Sequence, residues 1–458
     1  MLLLILIIPF LGAFLKKFLP KKFSLFIATL ITFIEILLIF YLTRITENIF
    51  EMKFDLKGIS FIYDDLGIIF SITSCFVALL IFIYSFGYFK DENDRDYFSF
   101  WSLIFLGSML GVIFSDNLIS LYFFWEIAGL CSYKLIGFYR EKEHLIKADK
   151  ALMITTGGAG IMFLSFASIY SITGSFSLSQ MKGVAVSPFI FLVFFIGVIT
   201  KSATFPLHTW LPDASVAPTP VTAFLHAAVL VKIGIYGLLR IFWRTLTIDG
   251  NISWAIYLCI FSSLISGIVA LVENDFKKIL AYSTVSQLGF LITGILTFNN
   301  NGILGSLIFY IAHALGKGGL FLTAGLMEKI FKTKDITKMG GVMKNMPVLT
   351  FGYLLLMLSV IGTPPFAGFF GKINIIIGVL KNQLLLPGFL LIISSVITLL
   401  YLWKTFKYVF ISESGNVDGE FNYRGSKIMV FSILTSGIFS FLIGITLLFY
   451  KGGGIFGY

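Results

Sequence analysis

Residues 186–217 read VSPFIFLVFFIGVITKSATFPLHTWLPDASVA. The segment is longer than the roughly 20 residues of one straight bilayer crossing, and Phe205-Pro206-Leu207 interrupts it. Proline removes a backbone donor and clashes with the preceding turn, so the segment reads as a helix broken inside the membrane. Residues 347–380 are equally overlong and are interrupted by Gly362-Thr363-Pro364-Pro365. Lys201 lies on the first broken helix and Lys372 on the second. Paired Gly/Pro-interrupted helices point to a transporter whose ion path lies near the bilayer midplane.

The rest of the chain fits that reading. Of 458 residues, 57% are hydrophobic and 13% charged, about half the ~25% charge of a soluble protein. Fourteen crossings at about 20 residues each need roughly 280 apolar residues, and 57% of 458 is about 261. With Pro, Gly, Asn and charge clusters as breaks, helices fall near 2–15, 23–42, 60–86, 98–114, 117–138, 151–172, 186–217, 219–243, 253–272, 278–297, 302–326, 347–380, 384–410 and 428–450. The expected fold is an all-α, multi-pass membrane protein. Its organisation is a three-helix segment at 1–90, two five-helix units at 98–243 and 253–410, and a last helix and tail at 428–458.

Several chemistries are excluded. Cys75, Cys131 and Cys259 lie far apart in apolar stretches, without a CxxC or companion histidines, which argues against iron–sulfur clusters, structural zinc and disulfides. No metal or cofactor is expected. The net charge of +10 is spread over short loops, so nucleic acid is not a partner. Residues 2–15 lack the basic start of a signal peptide and read as the first crossing. The stretch Gly452-Gly453-Gly454-Ile455-Phe456-Gly457 matches GxGxxG but has no helix after it, so it does not read as a nucleotide site.

Loops after odd-numbered helices hold 20 lysines and arginines and the even-numbered loops with the tail hold eight. The odd loops are therefore expected in the cytoplasm of a cell with this chain in its inner membrane, both termini outside. Six lysines remain inside crossings: Lys134, Lys201, Lys232, Lys317, Lys372 and Lys404. At ~2.5–3.5 kcal/mol each, they would cost on the order of 15–20 kcal/mol without snorkelling or pairing. Lys201 and Lys372 are 171 residues apart, and Lys232 and Lys404 are 172 apart. That spacing suggests an internal repeat five crossings long, hence inverted.

Glu126 sits in the apolar stretch Leu121–Leu130 and needs a partner from another helix. A lysine making and breaking contact with it could take up and release a proton; the alternative is a static ion pair. His313 and Lys317, four apart, share a helix face. His226 and Lys232, six apart, do not, and His226 could equally be an interhelical hydrogen-bonder. Lys404 reads as near a helix end, and Lys134 and Glu35 as snorkelling or paired locally.

These residues resemble the antiporter-like membrane subunits shared by respiratory complex I, energy-converting membrane-bound hydrogenases and Mrp cation/proton antiporters. The resemblance is carried by Ser115-Asp116-Asn117-Leu118 with Trp125-Glu126 and Cys131-Ser132-Tyr133, by Lys201-Ser202-Ala203 with Pro206 to Ala214, and by Ala217-Pro218-Thr219-Pro220-Val221. It continues through Asp275-Phe276-Lys277-Lys278 with Ala281 to Gln287, His313 with Lys317, and Phe369-Phe370-Gly371-Lys372. It implies fourteen helices with inverted repeats at helices four to eight and nine to thirteen, each forming a half-channel around its broken helix. Glu126 and Lys201 match the family's carboxylate–lysine pair, Lys232 its central link, His313 and Lys317 its eleventh-helix relay, and Lys372 its exit-side group. The chain departs from the family at Lys134, at Ile373 where an acidic residue often follows the lysine, and in having no long lateral helix after the fourteenth.

The resulting expectation is a subunit that translocates protons, or exchanges them for sodium, in a redox-driven complex, with redox chemistry in other subunits. The relay is Glu126, Lys201, His226, Lys232, His313, Lys317, Lys372 and Lys404. Partners are other membrane subunits, further antiporter-like ones among them, and redox subunits. The alternative is a secondary Mrp-type Na+/H+ antiporter subunit with no redox partner. A solute carrier or a structural scaffold explains the spread of isolated lysines less well.

Overall fold

The structure, a computed structural model, describes residues 1–45, 51–56, 59–413 and 426–449. The tail motif at 452–457 lies outside the described residues. The apolar runs form helices, and short polar residues start many of them. The side chains of Asn117, Asp275 and Asn299 accept hydrogen bonds from Ile119, Lys278 and Gly302 N–H groups at 2.8, 3.1 and 2.9 Å. Such caps satisfy donors that the first turn leaves open.

Among the described residues, ten helices are long and apolar enough to cross a membrane. Leu2–Leu15, Pro188–Lys201 and Pro347–Ile361 are shorter, and Lys277 and Lys278 lie in the first turn of Phe276–Ile295. Two helices exceed their expected bounds by the most. Lys142–Thr173 and Asn300–Phe331 each have 32 residues, so at 1.5 Å per residue they run about 48 Å, against ~30 Å of hydrocarbon. Their polar ends are helix beyond the apolar layer, which apolarity alone does not reveal.

Three expectations change. The third crossing, expected from residue 60, begins at Asp65, because Ile59–Asp64 is a strand paired antiparallel with Glu51–Leu56. The first broken helix ends at Lys201, and only the short turns Trp210–Asp213 and Ala214–Val216 follow before Thr219. Arg240, counted with the loops, lies inside the crossing Thr219–Trp243 and is buried.

The chain forms two compact units. The first comprises residues 1–82, 89–203 and 228–252. Within it, Lys16 donates to Asp96 Oδ1 at 2.7 Å and Ser99 Oγ at 2.9 Å, fastening the turn after the first helix to Glu92–Phe114. Arg240 forms a two-pronged ion pair with Asp64, at 2.6 and 2.8 Å, and its Nε donates to the Tyr236 hydroxyl at 2.7 Å. Tyr236 in turn donates to the Ile113 carbonyl. Burial alone would raise the Asp64 carboxyl, but the Arg240 charge, its hydrogen bonds and the Gly67 N–H hold it below the usual value. The hairpin is thereby tied to the end of Thr219–Trp243.

The second unit comprises residues 83–88, 204–227 and 253–458, described up to Phe449. Its most extensive helix packing joins Asn300–Phe331 to Ala367–Lys381. A Cβ on Gly371 would stand 2.6 Å from Phe309 Cβ and 2.8 Å from its backbone N, and one on Gly305 would stand 2.6 Å from Ile375 N. Small residues let two backbones touch, as helices in lipid need when apolar burial gives no drive between them. Lys277 pairs with Glu328 at 2.7 Å and donates to the Ala217 carbonyl at 3.2 Å.

The two units share one local construction. In the first, Leu118 N–H donates to Phe176 O at 3.0 Å and Leu178 N–H to Asp116 O at 2.8 Å. In the second, Phe276 N–H donates to Lys334 O at 2.8 Å and Ile336 N–H to Asn274 O at 3.0 Å. The bridges Asn117–Ser177 and Asp275–Asp335 are 158 residues apart at both ends. The helix starts Pro188 and Pro347 are 159 apart. These local features recur at 158–159 residues, whereas the lysines are 171–172 apart.

Arg240→Met should destabilise the protein by about 3–5 kcal/mol by stranding a buried carboxyl, seen as a lower unfolding midpoint in detergent. Because the Asp64 carboxyl is held low, the pair's contribution is present above the ordinary carboxylate value and lost as pH falls through the depressed one. An Arg240→Met midpoint equal to wild type across that pH range would refute the role. Gly371→Leu should drive Asn300–Phe331 and Ala367–Lys381 apart and abolish recovery of folded protein; a normal yield would show that the close approach is dispensable.

Candidate functional site

Four of the groups picked out by sequence occupy the two most enclosed of the candidate spans. Every residue in the apolar window of Thr219–Trp243 is buried, as are 94% of those in Asn300–Phe331. Thr219–Trp243 carries His226 and Lys232, and Asn300–Phe331 carries His313 and Lys317; all four are fully buried. Thr219–Trp243 is also irregular, with π-helical turns at Phe224–Ala228 and Leu239–Trp243. Such one-turn widenings are frequent at functional sites; one holds His226 and the other Arg240.

In the first unit, Lys201 is fully buried at the end of its helix, where the chain leaves helical geometry at Ser202. Its Nζ donates to the Trp125 carbonyl at 3.2 Å and stands 5.8 Å from the Trp125 ring centre. A Cβ on Gly129 would lie 3.1 Å from that Nζ, so the glycine leaves room for the ammonium against Leu118–Ile136. Glu126, the next residue after Trp125, is half-buried, and its Oε1 has no hydrogen-bond partner among the described residues. Glu126 and Lys201 feel each other's charge. The ammonium rests on the neighbouring carbonyl.

In the second unit, Lys372 repeats this solution with other parts. Its Nζ donates to the Ile361 carbonyl at 3.2 Å and lies 5.3 Å from the ring centres of both Phe290 and Phe309. Ile361 is the last residue of Pro347–Ile361, where carbonyls lack helical partners. Gly362 ends that helix at φ +88°, and a Cβ there would meet Lys372 Cδ at 3.1 Å. The helix break thus supplies both the acceptor and the space. Lys201 ends the first arm of its broken helix, whereas Lys372 sits in the second arm of its own, Ala367–Lys381.

Lys317 donates to the Leu280 carbonyl at 3.2 Å and to Ser283 Oγ. His313 lies one turn before it, its ring 6.2 Å from Phe309. The His226 ring packs on Phe321 at 4.5 Å. Lys404 is half-buried and donates to Leu271 O, Glu273 O and Asn274 Oδ1 at 2.9, 2.8 and 2.9 Å. It closes the carbonyl end of Ser253–Val272, as cations do at helix C-termini. Lys134 is exposed in the last turn of its helix beside the Tyr133 ring. Glu35, expected to snorkel or pair, is instead fully buried, and both its oxygens lack hydrogen-bond partners among the described residues.

Sequence reasoning missed two constellations. One is the Asp64–Arg240–Tyr236 cluster. The other is a polar chain between Phe276–Ile295 and Leu385–Phe406: Ser283 donates to the Tyr401 hydroxyl at 2.7 Å, and Gln287 Nε2 to Tyr401 and Thr398 at 3.1 and 2.9 Å. Its only sequence signal is polar residues at helical spacing, 283 with 287 and 398 with 401. Asp116 of the Ser115–Leu118 motif accepts from Ser179 N–H and Oγ at 3.1 and 2.7 Å, so that motif builds a helix start.

The chain matches the family described as NADH:quinone oxidoreductase/Mrp antiporter, transmembrane region, over residues 115–398, and the N-terminal region of complex I chain 5 over residues 53–100. It belongs to that family and is a multi-pass membrane protein. It is 38% identical to a Na(+)/H(+) antiporter subunit of Alkalihalophilus pseudofirmus over 344 residues, covering 69% of this chain and 42% of that protein. A Na(+)/H(+) antiporter subunit of Staphylococcus aureus is 37% identical over 346 residues, with coverage of 70% and 42%. The chain thus spans less than half the length of these relatives. One component in the structure of the Mrp complex from Dietzia sp. DQ12-45-1b shares the fold, with a TM-score of 0.87 at 18% identity, covering 98% of this chain and 94% of that one.

Proposed function

We infer that this chain is the ion-translocating subunit of a multisubunit Na+/H+ antiporter of the Mrp type, working without a redox partner. The observation that carries the reading is the pair of buried lysines, Lys201 and Lys372, each seated on a backbone carbonyl with a glycine making room for it, Lys201 ending its arm at a helix break and Lys372 taking the carbonyl at the other break. A carbonyl accepts from an ammonium and from a neutral amine alike, so either seat tolerates loss of the proton. Membrane charges at such expense mark proton or ion paths.

The proposed relay is Glu126, Lys201, His226, Lys232, His313, Lys317 and Lys372, with Lys404 at a helix end. Lys201 has two positions in this mechanism: on the Trp125 carbonyl, and against the Glu126 carboxylate one residue along. Moving between them changes how firmly it holds its proton. The doubled bridges at Asn117–Ser177 and Asp275–Asp335 support two five-helix repeats within fourteen crossings. The basic odd-numbered loops favour the cytoplasmic side for those loops and the outside for both termini. Other membrane subunits are the proposed partners.

The secondary-antiporter reading is preferred to the redox-driven one because the curated relatives described above are Na+/H+ antiporter subunits. In vesicles holding the complete complex, an imposed sodium gradient should move protons with no electron donor present. A strict need for a reductant would overturn the antiporter reading in favour of the redox-driven one.

Glu126 and Lys201 should be coupled. Glu126→Gln and Lys201→Ala should each slow proton movement about tenfold or more, and the double variant should be little worse than the worse single, as for groups acting in one step. Proton uptake into vesicles with verified assembly is the measurement. Losses that multiply would mean that the two residues act independently.

A further inference from the structure

The polar chain in the second unit has a feature that the relay described above does not use. Lys317, Ser283, Tyr401, Gln287 and Thr398 are all fully buried, on three different helices. Lys317 donates to Ser283 Oγ, and Ser283 donates to the Tyr401 hydroxyl at 2.7 Å. Gln287 Nε2 donates to the same phenolic oxygen at 3.1 Å and to Thr398 Oγ1 at 2.9 Å, and Thr398 donates on to the Ser394 carbonyl at 2.8 Å. The Tyr401 oxygen therefore accepts from two sides, which leaves its own O–H as an outgoing donor. Beside it, Gln287 Oε1 has no hydrogen-bond partner among the described residues.

The bonds run in one direction, from ammonium to serine to phenol. Serine and tyrosine hydroxyls each both donate and accept, so the line can hand a proton along without any group holding net charge for long. Three residues beyond Tyr401 on the same helix is Lys404, at the half-exposed end where it holds Leu271 O, Glu273 O and the exposed Asn274. Residues three apart on a helix are surface neighbours. The phenol thus stands between a sealed lysine and an end of the helix that solvent reaches.

We propose that Tyr401 is a proton-passing residue that joins Lys317, through Ser283, to the Lys404 end of the second unit. The inference rests on the ion-translocation reading. In the step, Lys317 gives a proton to the Ser283 oxygen while Ser283 gives its own to the Tyr401 oxygen. The phenolic proton passes to a water molecule entering beside Lys404, with Gln287 Oε1 as a second acceptor for that water. Each hydroxyl ends with one proton, Lys317 is left a neutral amine, and the water leaves as hydronium. Gln287 and Thr398 are positioning residues, since they orient the phenol.

The test uses the complete complex in vesicles, with assembly checked for each variant and Lys317→Ala as reference. Tyr401→Phe keeps the ring and removes the hydroxyl; proton flux should fall about a hundredfold or more, the scale of a lost proton-transfer group. Ser283 separates conduction from packing. If the hydroxyl conducts, Ser283→Thr keeps flux and Ser283→Ala loses it. If the site is only structural, alanine fits wherever serine does and threonine, with an added methyl, is the worse variant. The conducting order should also come with a changed solvent deuterium isotope effect in Tyr401→Phe.

Wild-type flux in Tyr401→Phe, with flux lost in Lys317→Ala, would overturn the connection and leave the translocation reading standing. Normal flux in both would instead remove Lys317 from the relay and the proposal with it. Should Tyr401→Phe not assemble, the order of the two Ser283 variants decides: threonine above alanine supports the connection, and the reverse refutes it.

Discussion

An ammonium group in a hydrocarbon layer must find an acceptor within the protein, and that requirement organises the interior of this chain. Lys201 takes the Trp125 carbonyl, Lys372 the Ile361 carbonyl, Lys317 the Leu280 carbonyl with the Ser283 hydroxyl, and Lys404 the carbonyls at the end of Ser253–Val272. All four use main-chain oxygens. A carboxylate partner would bind the charged form far more strongly than the neutral one. A carbonyl discriminates less, which suits a lysine that changes state. Glycines at 129 and 362 are what allow the stems and ammonium groups to reach those oxygens.

Charge pairing is found instead where the fold needs fastening. Asp64 with Arg240, Lys16 with Asp96 and Lys277 with Glu328 bring together segments distant in sequence. The Asp64–Arg240 pair is doubly hydrogen-bonded and extended through Tyr236, the geometry that lets a buried pair offset its desolvation. The protein thus uses two solutions for buried cations, carboxylates for structure and carbonyls for the candidate path. Repetition follows the same division. The bridges at Asn117 and Asp275 recur at 158 residues, but position 359, that far beyond Lys201, is a serine bonded to Ser440. The bridges recur, while each unit places its lysine on a different arm.

Much of this could be read beforehand. The lengths of apolar runs and the prolines at 206, 364 and 365 announced the helices and their breaks, because both effects act within one segment. Lys201, Lys232, Lys317 and Lys372 stood out because a charge inside an apolar run is conspicuous wherever it points. Arg240 was lost at a segment end, where a basic residue reads as a loop anchor. Glu35 was misjudged since no residue near it in sequence says whether a carboxyl faces lipid, water or protein. Tyr401, Thr398, Ser283 and Gln287 carry no formal charge, so nothing in a one-dimensional pattern separates them from ordinary helix residues.

By itself the sequence determined the class of structure, the placing of most apolar helices, the two breaks and the enclosed lysines, since these follow from transfer energies summed along short stretches. Tertiary structure decided which oxygen each lysine meets, that the hairpin is held by Asp64 and Arg240, that two backbone bridges recur at 158 residues, and that a hydroxyl line leads from Lys317 to Tyr401. Those contacts join residues from 11 to 176 positions apart. They depend on how helix faces rotate and pack against one another, and a segment read alone carries no information about the rotation of its neighbours.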